Sequence, residues 1–478
     1  FRGVKRGLRQ NEVSMVTLMK DYKEGRVRRD YACGLEEMES TLQFMIQIAA
    51  SSQRKEPQRF TSAPRAADKE EARETQVAVE DTGSAPASFE SAISTDSLVL
   101  EEGPLDIQNN DDTVDPSIFR AYDIRGVVDR TLTQSAVRLI GRAIGSEALQ
   151  RGRDTVVVAR DGRLSGQALT SILVDGIVST GCDVKDIGCV PTPVLYFATY
   201  YLDTQTGVVV TGSHNPPNYN GLKIVIDGET LSGVSIQSLR ERIEARNFIA
   251  GQGSVQTVSV LPDYIERIRG DVTLAKPLHI VIDCGNGVAG NVAPELLRSL
   301  GCKVKELFCD VDGNFPHHHP DPSKEENLAD LIEAVHSEKA DLGLAFDGDG
   351  DRLGVVAADG RIVWPDRVLM LFARDILERN PGAQIIYDVK CTRFLETLIR
   401  EYGGQPLMWK TGHSFIKAKI KESGALLAGE MSGHIFINER WYGFDDAIYA
   451  AARLLEILGK DSRSSTDVFA ELPDSVNT

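Results

Sequence analysis

From Ser117 onward, short runs of β-branched residues alternate with segments of helical period, and the alternation repeats. Residues 155–159 suit a buried strand and end at Arg160-Asp161-Gly162-Arg163. Residues 279–282 form a second such run, ending at Asp283-Cys284-Gly285-Asn286-Gly287, and residues 384–387 a third, ending at Asp388-Val389-Lys390. Each is followed by a helix-like segment and later by a polar, glycine-containing loop that feeds another strand: residues 211–217, 347–352 and 429–434. Units of about 105 to 125 residues that repeat strand and helix predict three tandem α/β domains, with mixed sheets sandwiched by helices. The expected boundaries are residues 117–258, 259–365 and 366–478. Such sheets bind ligands at the carboxyl ends of their strands, so a cleft between the domains is the expected site.

Residues 1–116 differ and are expected to be an N-terminal extension. The first thirty are rich in Arg and Lys, and Leu35, Met38, Leu42, Met45 and Ile46 then recur at helical spacing. Residues 51–115 are mostly Ser, Glu, Ala, Asp, Thr and Gln, too poor in apolar surface to offset ordering entropy, which predicts a disordered linker. The net charge of −17 argues against a nucleic-acid partner. The seven cysteines are scattered without a CxxC pair, which predicts free thiols in a reducing, cytoplasmic setting. The nearest candidate for a span, residues 44–50, is short and interrupted by Gln47, so no membrane span is expected. A chain that begins at Phe1 rather than Met is expected to be a fragment.

The three loops carry the chemistry. In Thr211-Gly212-Ser213-His214-Asn215-Pro216-Pro217, a serine on a glycine-preceded turn stiffened by prolines cannot relax into a helix. With the His214 imidazole beside it and Lys223 further on, its hydroxyl is placed for chemical modification. In Asp347-Gly348-Asp349-Gly350-Asp351-Arg352, two glycines let three carboxylates converge, and their repulsion is resolved by a divalent cation such as Mg²⁺. The alternative, a solvated acidic turn, fits poorly with the strand-like flanks at 344–346 and 353–356. The third loop, Gly429-Glu430-Met431-Ser432-Gly433-His434, mixes an acceptor with hydroxyl and imidazole groups suited to sugar hydroxyls. Arg125, in Phe119-Arg120-Ala121-Tyr122-Asp123-Ile124-Arg125-Gly126, can offer a bidentate guanidinium to phosphate. His317, His318 and His319 lie between Pro316 and Pro320, where a structural role is expected rather than a metal site. Asp161 and Arg163 could equally support the first strand-end loop or line the cleft.

Together the FRAYDIRG, TGSHNPP, DGDGDR and GEMSGH segments, in that order, resemble the α-D-phosphohexomutases over residues 117–478. TGSHNPP with GEMSGH is most similar to the bacterial phosphomannomutase/phosphoglucomutase branch. The resemblance implies interconversion of hexose 6-phosphate and hexose 1-phosphate, of mannose or glucose, through phospho-Ser213 and a hexose 1,6-bisphosphate. It implies Mg²⁺ on Asp347, Asp349, Asp351 and a phosphate oxygen of phospho-Ser213. Arg125, His214, Lys223 and Arg352 would then surround the phosphoryl group, with Tyr122, Lys390, His413, Glu430, Ser432 and His434 near the sugar. The partners are small phosphosugars, and a monomer is expected. The family also has a fourth, phosphate-binding domain, which is expected to be absent here because the chain stops at Thr478. Weak sugar-phosphate affinity of the 478-residue chain would follow. The competing expectation is a weakened phosphosugar-binding or scaffolding fragment. A DxD-type phosphatase is a third, disfavoured because it gives Asp351 and TGSHNPP no role.

Overall fold

The computed structural model describes residues 113–473. The basic start, the helical spacing at residues 35–46 and the linker up to residue 112 lie outside the described residues. The last residues of the predicted linker belong to the fold instead. Val114 packs against the first domain's core, and Asp115 caps a 3₁₀ turn, Pro116–Ile118, by accepting from Ser117 N at 2.9 Å. Their polar surroundings in sequence hid this.

Three sheets follow one another. The first holds β1 (Ile124–Val127), β2 (Thr155–Arg160), β3 (Asp183–Cys189), β4 (Gly207–Val210), β5 (Tyr219–Ile226), β6 (Glu229–Thr230) and β7 (Val255–Thr257). Their order is β1-β5-β4-β2-β3-β7, with β6 paired to β5. The second holds β8 (His279–Asp283), β9 (Lys303–Leu307), β10 (Leu342–Phe346), β11 (Leu353–Ala357) and β12 (Ile362–Val363), ordered β12-β11-β10-β8-β9. The third holds β13 (Gln384–Asp388), β14 (Gln405–Trp409), β15 (Leu427–Gly429) and β16 (Ile435–Ile437), ordered β14-β13-β15-β16.

One plan recurs in all three. Three parallel strands are followed by an antiparallel strand that pairs with the third of them: β5 with β4, β11 with β10, β16 with β15. The turns of these three hairpins are the three loops singled out in the sequence. Strands β4, β10 and β15 are buried along their whole length, which explains their unbroken apolar runs. Helices begin where local chemistry satisfies the free N–H groups. Thr133 accepts from Ala136 N to start Gln134–Gln150, and Asp446 accepts from Tyr449 N at 2.8 Å to start Ala447–Lys460. Prolines open Thr192–Tyr201, Leu261–Arg269 and Pro365–Arg379, where a missing N–H costs nothing.

The largest core runs without a break from Val157 in the first sheet to Leu472. Aromatic contacts stitch the domains within it. Phe197 packs on Tyr264 and Trp441, the Tyr264 hydroxyl donates to Asp446 Oδ1 at 2.9 Å, and the Tyr449 hydroxyl donates to Asp271 Oδ2 at 2.6 Å. This packing turns the three hairpins toward one another. Among the described residues, no helix is long and apolar enough to cross a membrane.

Candidate active site

The serine loop, between β4 and β5, is held from within. Thr211 Oγ1 accepts from Ser213 N at 2.8 Å, and Asn215 N donates to Gly212 O at 2.9 Å. Ser213 takes a left-handed backbone conformation, φ 48°, uncommon for a residue with a side chain. That twist brings its hydroxyl inward, where Oγ donates to Asp347 Oδ2 at 3.0 Å and lies 3.1 Å from His214 Nδ1.

The acidic loop, between β10 and β11, meets it closely. A side chain at Gly348 would put its Cβ 2.5 Å from Ser213 O, so only glycine allows the approach. Carboxylate oxygens of Asp347, Asp349 and Asp351 lie within 4.8 Å of one another, and all three residues are buried. Burial and the two neighbouring carboxylates push Asp347 well above the usual carboxylate range. Burial acts on Asp349 in the same direction, but the Lys223 ammonium outweighs it and holds Asp349 below that range. Lys223, on β5, donates to Asp349 Oδ2 at 2.7 Å and to Asp351 Oδ2. Burial opposes its charge, yet the surrounding carboxylates raise its pKa. Thr192 Oγ1 donates to Asp349 Oδ2 at 2.6 Å, and Thr192 N to Asp349 O at 2.9 Å. Asp349 Oδ1 and Asp351 Oδ1 are buried without a hydrogen-bond partner. Hard, convergent, unsatisfied oxygens are the donor set a divalent cation requires, so these residues fit one.

The third hairpin closes the site from the other side. Arg352 pairs with His434 as an isolated antiparallel bridge, and Leu353 N donates to Gly433 O at 3.1 Å. Arg352 Nε donates to His434 Nε2 at 3.1 Å, which places the ring's proton on Nδ1. Nδ1 lies 3.1 Å from Asp445 Oδ2 and 3.5 Å from Asp351 Oδ1. Asp445 also accepts from Lys417 Nζ at 2.7 Å, and Lys417 Nζ lies 3.1 Å from His413 Nδ1 and 4.0 Å from the Tyr196 ring centroid. Burial alone would raise Asp445, but Lys417 and the two imidazoles hold it well below the usual range. Asp351, His434 and Asp445 also form a converging trio; Lys417 neutralises part of its charge, while His434 Nδ1 and Asp445 Oδ2 lie close without a hydrogen bond between them.

The structure thus gathers Ser213, His214, Lys223, Arg352, Asp347, Asp349, Asp351, His413 and His434. Arg125, on β1 one strand from Lys223, pairs with Asp123. Burial and the nearby cations Arg352 and Arg125 drive His214 down to about 2, so its imidazole is neutral. Tyr122 is half-exposed and meets His413 edge-on at 5.5 Å. The Glu430 carboxylate is buried, accepts from Gly412 N, and is raised by that burial. Ser432 Oγ is buried without a partner. Lys390 is exposed at the end of β13, where its backbone N–H bonds to Asp388.

The phosphoglucomutase/phosphomannomutase family models of α/β/α domains I, II and III match residues 116–250, 262–360 and 364–476. The chain belongs to this family. It is 62% identical over 366 residues to the phosphomannomutase/phosphoglucomutase of Pseudomonas aeruginosa, covering 77% of this chain and 79% of that one. It is 54% identical over 363 residues to a phosphoglucomutase of Neisseria gonorrhoeae, covering 76% and 79%. The crystal structure of a phosphoglucomutase/phosphomannomutase family protein from Burkholderia thailandensis superposes with a TM-score of 0.74 at 55% identity, covering 76% of this chain and 81% of that one.

Several residues of this cluster escaped sequence reasoning. Thr192, Lys417 and Asp445 carry no motif, and Asp445 stands beside Asp446, whose capping role supplies a sufficient reason for the pair. Asp161 and Arg163, left open above, lie beneath the serine loop. His318 Nε2 lies 3.0 Å from Asp283 Oδ2, and His317 stacks on Phe308 at 4.0 Å. This suits the structural role expected of that loop.

Proposed function

We propose that this phosphohexomutase interconverts the 6- and 1-phosphates of mannose and glucose by passing a phosphoryl group through Ser213. The observation that carries the reading is the Ser213 hydroxyl, 3.0 Å from Asp347 within a buried carboxylate trio. In the first step the Oγ–P bond of phospho-Ser213 breaks as phosphorus bonds to the free hydroxyl oxygen of a hexose monophosphate. That hydroxyl's proton leaves to His434 Nε2 once the substrate phosphate draws the Arg352 guanidinium off that nitrogen, with Lys390 near the sugar as a cation. The product is a hexose 1,6-bisphosphate. After the sugar turns over, Ser213 Oγ takes the other phosphoryl group. Lys223, Arg125, Arg352 and the neutral His214 surround the charge that spreads over the transferring oxygens. Mg²⁺, bound by Asp347, Asp349, Asp351 and a phosphoserine oxygen, would supply further charge stabilisation there. Glu430, Ser432 and His413 meet the sugar hydroxyls, with Tyr122 at the rim.

The same reading takes residues 117–258, 259–365 and 366–478 as its three domains. The six described cysteines are free, which supports a reducing, cytoplasmic setting. The same reading takes the enzyme as a monomer. The test is incubation with glucose 1,6-bisphosphate followed by intact-mass measurement and peptide mapping. One phosphate on Ser213, and loss of it together with mutase turnover in Ser213→Ala, is the expected result. Full turnover by Ser213→Ala would overturn the proposal.

A further inference from the structure

We infer that Arg163 is a positioning residue for phosphoryl transfer: its guanidinium is the clamp that holds the serine loop in the conformation that presents Ser213. The inference rests on Ser213 being the phosphoryl carrier. Arg163 leaves the loop after β2 and runs beneath the turn between β4 and β5, with its side chain wholly buried at 0% exposure. Arginine is rarely buried to that degree unless every donor is paired. Here the pairing is complete. Nε donates to Asp161 Oδ2 at 3.2 Å. Nη1 donates to Pro216 O at 2.6 Å and Tyr219 O at 3.0 Å, and Nη2 to Ser213 O at 2.7 Å and Asn215 O at 2.6 Å. Five N–H groups meet five acceptors, and four of those are main-chain carbonyls of a single loop.

The loop has a physical need for such a clamp. Ser213 sits in the left-handed region at φ 48°, a conformation that persists only where its surroundings over-determine it. The Ser213 carbonyl is turned into the buried side of the loop and needs this donor, those at 215, 216 and 219 turn to the same guanidinium, and Pro216 O also accepts from Tyr219 N at 3.0 Å. Asp161 holds the loop's other edge, accepting from Gly212 N at 3.0 Å and from Thr211 Oγ1 at 2.9 Å. Gly212 lets the guanidinium in, because a Cβ there would stand 2.3 Å from Arg163 Nε. The Phe315 ring of the second domain, 5.3 Å from Cζ, covers it further. A lysine could not replace this geometry, since its donors radiate from one nitrogen instead of two terminal ones. Arg163 makes all its bonds to the protein beneath Ser213, so it acts through the loop's placement.

Arg163→Lys and Gly212→Ala test this in the full chain. The measured quantities are the rate of Ser213 phosphorylation by glucose 1,6-bisphosphate, read by intact mass, and the kcat and KM of mutase turnover. For Arg163→Lys we expect phosphorylation and kcat to fall on the order of a hundredfold, as for a reacting atom misplaced by about 1 Å, with KM changed less than about threefold. Amide exchange in residues 212–219 should quicken while β4 stays protected. If Arg163→Lys does not fold, Gly212→Ala carries the test, because it displaces the guanidinium while keeping every donor. Its kcat should fall with KM retained. A folded Arg163→Lys that phosphorylates Ser213 at the wild-type rate overturns the inference, as does a Gly212→Ala protein with unchanged kcat. Wild-type phosphate mapping to a residue other than Ser213 would instead overturn the proposal beneath it.

Discussion

Asp445→Asn is a sharp test of how the third hairpin works. Asp445 is fully buried and meets three groups: Lys417 Nζ at 2.7 Å, His434 Nδ1 at 3.1 Å and His413 Nδ1 at 3.7 Å. An asparagine of the same shape keeps one acceptor for Lys417 but turns an NH₂ toward His434 Nδ1, donor against donor. The ring can escape only by moving its proton to Nε2, which then opposes the Arg352 Nε–H that now donates to it. Either arrangement unseats His434. The Lys417 ammonium also loses its buried counter-charge, and breaking such a pair costs about 3–5 kcal/mol, the lower end applying because the amide still accepts. If His434 handles the proton of the sugar hydroxyl, kcat should fall about 10²- to 10⁴-fold, or roughly 3–5 kcal/mol of barrier. The assay is mutase turnover of glucose 1-phosphate coupled to detection of glucose 6-phosphate, with a urea midpoint measured in parallel. KM should move little, since Asp445 lies behind the imidazoles. A folded Asp445→Asn enzyme with kcat within about threefold of wild type would refute the reasoning.

Lys223→Met removes the ammonium shared by Asp349 and Asp351, and should lower stability without divalent cations by about 3–5 kcal/mol, read as a lower urea midpoint. Added Mg²⁺ should then restore stability more in the variant than in wild type, and equal restoration would count against the metal reading. Glu439 accepts from Arg379 Nε at 2.9 Å and Arg453 Nη2 at 2.7 Å; burial opposes its charge, but the two guanidiniums bring it down to about 2. A depressed carboxylate stabilises above its unfolded value and loses that contribution as pH falls from about 4.5 through about 2. Glu439→Gln should therefore lose about 1–3 kcal/mol at pH 7 and progressively less below pH 4.5, whereas a pH-independent difference would exclude this origin. Burial pushes the Cys302 thiol up to about 11, so iodoacetamide at pH 8 should leave it unmodified in the native enzyme while denaturant exposes it. Rapid native labelling at Cys302 would contradict this.

Much of the fold was legible because it is local. The runs at residues 155–159, 279–282 and 384–387 became β2, β8 and β13, and the acidic loop does connect two buried strands. The motif residues were legible as a set because each loop carries its own chemistry. Contacts between loops were not. Lys223 lies more than a hundred residues from Asp349 and Asp351, and nothing in its strand distinguishes a lysine that meets phosphate from one that meets carboxylates. Arg163 sits in a polar strand-end run where a solvent-facing arginine would look the same. Asp445 was hidden by its neighbour, since a carboxylate before a helix already has a reason to be there.

The recurring strand order β5-β4-β2-β3, β11-β10-β8-β9 and β16-β15-β13-β14 means that three hairpins reach a common point from three directions. Each extra residue along a strand advances the chain by about 3.3 Å, more than the length of the bonds that join these turns. An insertion in one hairpin would carry its turn past the other two, however well its own domain folded. Loop length in any one domain is therefore set by the other two, and the three turns must keep their lengths as a group even where their side chains are free to vary.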